Sequence, residues 1–243
     1  MTARLEGLDA VTFDCWGTLI FDKPETEGRT SYNVRVEHLA RIGGIEVEAA
    51  DELLKEAWEH HHTAWHELRG YGAPGMAAHC LEAIGIRDER RMRELTDAFE
   101  EASIEFGVEV VPGAPETLQD LRSRGFRTAL VCDTGFTPGR VVRHLLGEHG
   151  ITPLLDVLAF SDEVGVPKPH ERMFRTALEG IDVAASSAAH IGDLKRTDVA
   201  GARAAGMQTI RFRGVYDDES DLPDADVVIS EMPELSSLVA DHV

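Results

Sequence analysis

Short apolar runs recur along this chain, and nearly every one breaks at a polar turn that opens a helical stretch. That alternation constrains the fold more than any other feature, because strands separated by helix-length crossovers must pair in parallel. The candidate strands are Ala10–Phe13, 128–131, Val157–Phe160, 190–191 with its flank, Gln208–Phe212 and 226–229. Residues 115–124 read as a helix closed by Gly125. Thr137-Pro138 has the form of an N-cap followed by proline at the first helical position. Residues 198–205 form a small-residue helix (Ala200, Ala202, Ala204, Ala205) ended by Gly206, narrow enough to approach a sheet closely. The expected architecture is α/β, a doubly wound parallel sheet.

Residues 22–106 break the rhythm. They hold no convincing strand, and residues 48–68 carry Leu54, Ala57, Trp58, His61, Trp65 and Leu68 at helical spacing. This block is expected to be a smaller α-helical domain inserted in a core formed by residues 1–21 and 107–243. His62 and His66 stand four apart, a spacing that can bind a metal, but no third ligand accompanies them, so a packed or solvated helix is the better reading. Arg29, Arg35, Trp65, Arg69 and Tyr71 are candidate specificity residues of the insert. The acidic runs Glu100-Glu101 and 217–221 read as solvated surface.

Four sites carry the chemistry. In Val11-Thr12-Phe13-Asp14-Cys15-Trp16-Gly17-Thr18-Leu19, an apolar run ends at a carboxylate. Open α/β sheets bind ligands at the carboxyl ends of their strands, and an unpaired buried charge there has no packing purpose. A second strand ends at Cys132-Asp133-Thr134-Gly135, a turn whose N–H groups can hold an anion. In Gly165-Val166-Pro167-Lys168-Pro169, two prolines stiffen the backbone around one ammonium. In His190-Ile191-Gly192-Asp193-Leu194-Lys195-Arg196-Thr197-Asp198, two carboxylates straddle a strand end and a helix start, where they could ligate a hard cation such as Mg²⁺.

These four motifs, in this order, resemble the haloacid dehalogenase superfamily, in the branch with a helical cap inserted after the first motif. The resemblance spans residue 8 to about residue 235. It implies a Rossmann-like core and hydrolysis through an aspartyl intermediate on Asp14. Lys168 would neutralise charge on the nucleophile and substrate. Cys132 or Thr134 would stand at the small-hydroxyl position, with Trp16, Thr18 and Asp133 also lining the substrate. Asp193, with Asp14 and the backbone carbonyl of Trp16, would hold Mg²⁺, and Asp198 would support the metal water or Lys168.

Two departures from the family pattern bear on the chemistry. A thiol at Cys132 is a weaker partner than a hydroxyl. Trp16 stands where phosphatases of the family carry an acid/base aspartate, and 2-haloacid dehalogenases have an aromatic residue there. Those dehalogenases typically lose the metal carboxylate, which this chain keeps as Asp193. The expectation is a Mg²⁺-dependent phosphohydrolase of a small phosphorylated metabolite. A metal-independent 2-haloacid dehalogenase is the alternative, followed by a carbon–phosphorus hydrolase or a non-catalytic protein that binds a phosphorylated ligand.

Composition bounds the partners. The chain of 243 residues carries 24 Lys and Arg against 44 Asp and Glu, a formal net charge of −20. That argues against nucleic acid or an anionic membrane as main partner, since both need a basic footprint. A small anionic substrate responds instead to the local field. Three widely spaced cysteines form no CxxC pair, and Met1 to Gly7 lack the apolar stretch of a secretory leader, so a cytoplasmic location is expected. The oligomeric state leaves no signature in the sequence.

Overall fold

A computed structural model describes residues 5–25 and 29–240 of the chain. The chain forms two compact units. The first comprises Met1–Phe21, Val110–Asp133 and Leu146–Val243, and the second comprises Asp22–Glu109 and Thr134–Leu145.

In chain order the strands are β1 (Ala10–Phe13), β2 (Ile20–Asp22), β3 (Val108–Val110), β4 (Arg127–Cys132), β5 (Val157–Phe160), β6 (Ala188–Gly192), β7 (Gln208–Phe212) and β8 (Val227–Ile229). The helices are α1 (Ser31–Gly43), α2 (Val47–His66), α3 (Gly72–Ala83), α4 (Glu89–Phe106), α5 (Ala114–Ser123), α6 (Gly139–Glu148), α7 (Ser161–Val164), α8 (Glu171–Ile181), α9 (Ala200–Ala204) and α10 (Glu234–Leu238). All six strands expected from sequence are present. β2 and β3 are additions, a short two-stranded sheet at the points where the chain passes from one unit to the other.

The first unit is built on a parallel sheet in the order β5-β4-β1-β6-β7-β8. From β1 the chain builds outward through β4 and β5, then returns to the other side of β1 for β6, β7 and β8. The switch point therefore lies at β1, whose carboxyl end is where such sheets open a crevice. β1 is buried along its whole length, as a strand covered by helices on both faces must be. One face of the sheet packs Ala10, Val131 and Ala159 against Met173, Phe174, Ala177 and Ile181, the buried stripe of α8. Among the described residues, no helix is long and apolar enough to cross a membrane.

The helix expected over 198–205 starts differently. Lys195–Val199 form a π-helical turn, followed by α9. Such turns insert one extra residue and re-aim the side chains around it. Here the turn folds Asp198 back toward the end of β6, close enough that a Cβ on Gly192 would lie 2.3 Å from Asp198 Cγ.

The second unit is helical. Leu39, Leu54, Met76, Leu81, Leu95 and Phe99, from α1 to α4, form its core. α1 begins at a capping box between Thr30 and Asn33, and α4 at Asp88, whose side chain accepts from Arg90 and Arg91 N–H. The segment Thr134–Leu145, which sequence places in the core domain, belongs with these helices. Phe136 is the physical reason. It stacks on Trp58 at 5.3 Å, meets Phe99 edge-on at 5.6 Å, and carries the Arg35 guanidinium 4.5 Å above its ring.

Several sequence expectations need correction in this unit. Arg35 is buried, donating to Phe99 O at 3.0 Å and to Ser31, Ser103 and Thr137 hydroxyls at 3.2, 3.0 and 3.4 Å. Its fork is consumed by the unit itself and is not held free for a substrate. Arg29 and Arg69 pair with Glu37 and Glu67. Glu100 is mostly covered and pairs with Arg140. In the first unit, Asp218 is also buried, because it accepts Lys195 N–H at 2.7 Å and Ser220 N–H at 2.9 Å. The run 217–221 is thus partly a structural clasp.

Candidate active site

Asp14 lies one residue beyond β1, where its N–H extends the ladder to Ile191 O at 2.8 Å. The chain then turns sharply: Leu19 N–H returns to Cys15 O at 2.8 Å, and Gly17 N–H to Ile20 O at 2.8 Å. Gly17 adopts φ +74°, and a Cβ there would stand 2.6 Å from Asp193 Oδ2. Glycine is required at this position both for its backbone conformation and for the close approach of Asp193. Trp16 is half-buried in the same turn, and Thr18 is fully buried with Oγ1 3.5 Å from Asp14 Oδ2.

Lys168 is 2% exposed and reaches Asp14 Oδ1 at 2.5 Å and Asp198 Oδ1 at 2.7 Å. Its own N–H donates to Asp133 Oδ1 at 2.8 Å, so the carboxylate at the end of β4 fixes the loop that presents the ammonium. Cys132 is fully buried; its thiol donates to Asp133 O at 3.3 Å, and burial together with neighbouring Cys15 pushes its pKa well up. Thr134 is half-buried and begins the segment that belongs with the helical unit.

Asp14, Asp193 and Asp198 each bring one carboxylate oxygen within 4.8 Å of the others, the one such group of potential metal ligands among the described residues. Their environments differ. Asp198 accepts from Lys168 Nζ and, at 3.1 Å, from His190 Nε2 on Oδ1, and from Leu194 N–H and Thr197 Oγ1 at 3.1 and 3.2 Å on Oδ2. Burial alone would raise its pKa, but Lys168 and His190 outweigh that and hold it well below the usual carboxylate range. Asp14 goes the other way. Burial pushes it up to about 7, with Lys168 opposing and Asp198 adding repulsion. Burial, then Asp14 and Asp198, push Asp193 up to about 8. No other described residue donates a hydrogen bond to the Asp193 side chain, although it is 8% exposed.

A buried carboxylate that accepts only from its own backbone N–H, beside a second carboxylate, fits a divalent cation, which would neutralise both. Asp14 and Asp193 would hold it. Asp198, with all its lone pairs engaged, is placed to hold Lys168.

Two residues of this cluster escaped sequence reasoning. His190 and Thr12 stand inside the fourth and first motifs with no role read for them from sequence, yet both are buried in mid-strand and join the chain of contacts through Asp198. The available signal was a histidine inside an apolar strand two residues before Gly192.

A family model described as haloacid dehalogenase-like hydrolase matches residues 8–206. Haloacid dehalogenase-like hydrolase domain-containing protein 3 of Mus musculus is 30% identical over 212 residues, covering 82% of each chain. Phosphoserine phosphatase of Thermus thermophilus is 33% identical over 202 residues, covering 72% of this chain and 79% of its own. Among solved structures, a 2-haloacid dehalogenase from Pseudomonas syringae shares the fold with a TM-score of 0.69 at 21% identity, over 95% of this chain and 97% of its own. A phosphatase from Thermococcus onnurineus does so at 0.65 and 22%, over 95% and 97%. With the strand order, the four motifs and the carboxylate cluster on one sheet edge, these likenesses establish that the chain belongs to the haloacid dehalogenase-like hydrolases.

Proposed function

We propose that this hydrolase is a Mg²⁺-dependent phosphohydrolase of a small phosphorylated metabolite, with Asp14 as nucleophile. The observation that carries the reading is Asp193: a buried carboxylate that takes no hydrogen bond from another described residue, set beside Asp14. Displacement of halide at carbon gives such a group no task, whereas a phosphate dianion arriving at three carboxylates and one ammonium needs added positive charge. Relatives named as phosphatases, such as the Thermus thermophilus phosphoserine phosphatase, support the same direction.

In this reading an Asp14 oxygen attacks phosphorus, the alcohol leaves, and water cleaves the aspartyl phosphate. When bound, Mg²⁺ would supply charge neutralisation at Asp14, Asp193 and the substrate oxygens. Lys168 holds Asp14 Oδ1 and offsets the charge that builds there. Asp133 fixes the Lys168 backbone, and the half-buried Trp16 sits in the turn after Asp14. Thr18 and the Cys132–Thr134 turn are assigned to the substrate side, and the Trp16 carbonyl to the metal. No carboxylate stands at position 16 to protonate the leaving group, so substrates with acidic leaving groups are favoured. Three free buried thiols fit a reducing compartment, and we place the enzyme in the cytoplasm.

Trp16 also favours a second reading, the 2-haloacid dehalogenase, whose leaving halide needs no proton. One panel separates the two: phosphate release from aryl and sugar phosphates and halide release from 2-haloacids, each in Mg²⁺ and in EDTA. The proposal expects phosphate release that requires Mg²⁺ and slows as leaving-group pKa rises. Halide release undiminished in EDTA, without phosphatase activity, would replace it with the dehalogenase.

A further inference from the structure

Strand β1 supplies both ends of a single row of contacts. Thr12 and Asp14 are two residues apart, so their side chains leave the strand on the same face. Thr12 is in register with His190 on β6, and Thr12 Oγ1 lies 2.8 Å from His190 Nδ1. His190 Nε2 lies 3.1 Å from Asp198 Oδ1, Lys168 Nζ joins Asp198 to Asp14, and the row has returned to β1. Every member is buried, and Phe174 closes the outer side of His190 edge-on at 5.1 Å.

We propose that Thr12 and His190 are positioning residues of the Asp14–Lys168 pair, acting by fixing which imidazole nitrogen carries the proton. The inference rests on the reading of Asp14 and Lys168 as the reacting pair.

The roles follow from donor and acceptor counting. Asp198 is an acceptor, so the nitrogen facing it, Nε2, must carry the hydrogen. Nδ1 of the neutral ring is then an acceptor, and the group opposite it is the Thr12 hydroxyl, which donates. Thr12 therefore selects the tautomer that serves Asp198. With the opposite tautomer, an Nε2 lone pair would face the carboxylate, and Thr12 would have to turn its hydrogen to Ala189 O at 3.4 Å.

The consequence falls on Lys168. Asp198 Oδ1 is shared between Nε2–H and the ammonium. Without the imidazole donor, that oxygen is left to Lys168 alone and draws the ammonium away from Asp14. Removing an outer partner that orients a reacting group typically costs on the order of tenfold or more in activity.

The test uses the full-length enzyme with ¹⁵N-labelled histidine and lysine, the His190 signals being assigned by their loss in His190→Gln. Wild type should show a neutral ring protonated at Nε2. Thr12→Val should shift the His190 nitrogens toward the other tautomer, lower kcat about tenfold, and leave KM within about twofold, as expected for a group that acts only on the reacting pair. Thr12→Ser should restore both. His190→Leu should move the Lys168 ammonium signal and lower kcat, and His190→Gln, which returns an N–H toward Asp198, should recover part of each. An Nδ1-protonated ring in wild type would overturn the proposal. So would Thr12→Val or His190→Leu variants that fold, bind Mg²⁺ and keep wild-type kcat. If the wild type hydrolyses no phosphate ester, the phosphohydrolase reading fails; the two NMR signals then decide the positioning role alone.

Discussion

The backbone N–H of Lys168 is held by Asp133 Oδ1 at 2.8 Å. The motif that ends β4 is thereby joined through one hydrogen bond to the loop between α7 and α8, and the ammonium that meets Asp14 is presented by a loop pinned at its own residue. Asp133→Ala should release that loop, lower kcat, and cost about 1–3 kcal/mol for a buried N–H that loses a charged acceptor. Asp133→Asn keeps the Oδ1 acceptor and should lose much less. Urea unfolding with steady-state kinetics on both variants checks this; an alanine variant equal to wild type in both would refute it.

Gly17 and Gly44 allow the metal argument to be separated from backbone strain. Both have positive φ, +74° and +68°, but only at Gly17 would a Cβ strike Asp193 Oδ2; nothing lies within 4 Å at Gly44. Each alanine variant should lose about 1–2 kcal/mol of stability from left-handed backbone. Only Gly17→Ala should also weaken Mg²⁺ binding, because it displaces Asp193. Isothermal titration on the two variants decides, and equal Mg²⁺ affinity would remove Asp193 from the metal site.

The raised carboxyls give a pH signature. Asp14, pushed from 3.8 to about 7, and Asp193, pushed to about 8, bind more protons folded than unfolded between those values. Stability must then fall as pH rises through that interval. His61 slopes the other way. Burial lowers its pKa from 6.5 to about 4, so its contribution is lost as pH falls through that range. Burial lowers His190 as well. Above about pH 6.5 the histidine slopes end, so the diagnostic window is from there to about pH 8. In EDTA the melting temperature should fall across it, and saturating Mg²⁺ should flatten the curve. A flat profile in EDTA would mean that the two carboxyls are not strained together in the metal-free enzyme.

Much of this was legible in sequence because strand ends in a parallel sheet are marked twice. An apolar run stops, and a residue with chemistry follows it: Asp14 after Phe13, Asp133 after Cys132, Asp193 after Gly192. That signal and the two flanking prolines single out these carboxylates and Lys168 as candidates, and the family resemblance supplies the roles proposed for them. What stayed hidden depends on tertiary placement. Phe136 follows a core strand in sequence, and only its stacking on Trp58 and Arg35 shows that its segment belongs with the helices. Arg35 looked like a substrate group because a lone arginine in an insert carries no sign of four internal acceptors. Thr12 and His190 showed no role because burial and a buried relay give the same strand pattern, and only cross-strand register separates them.

The central claim, attack by Asp14 on phosphorus and not on carbon, can be tested by following one oxygen atom. Excess enzyme is allowed a single turnover in H₂¹⁸O, and the peptide containing Asp14 is weighed by mass spectrometry alongside the released product. An aspartyl phosphate is cleaved by water at phosphorus, so ¹⁸O should appear in inorganic phosphate, with the Asp14 carboxylate unlabelled. An alkyl ester formed by displacing halide is cleaved by water at the carboxyl carbon. Heavy oxygen in Asp14, with turnover of a 2-haloacid, would contradict the account.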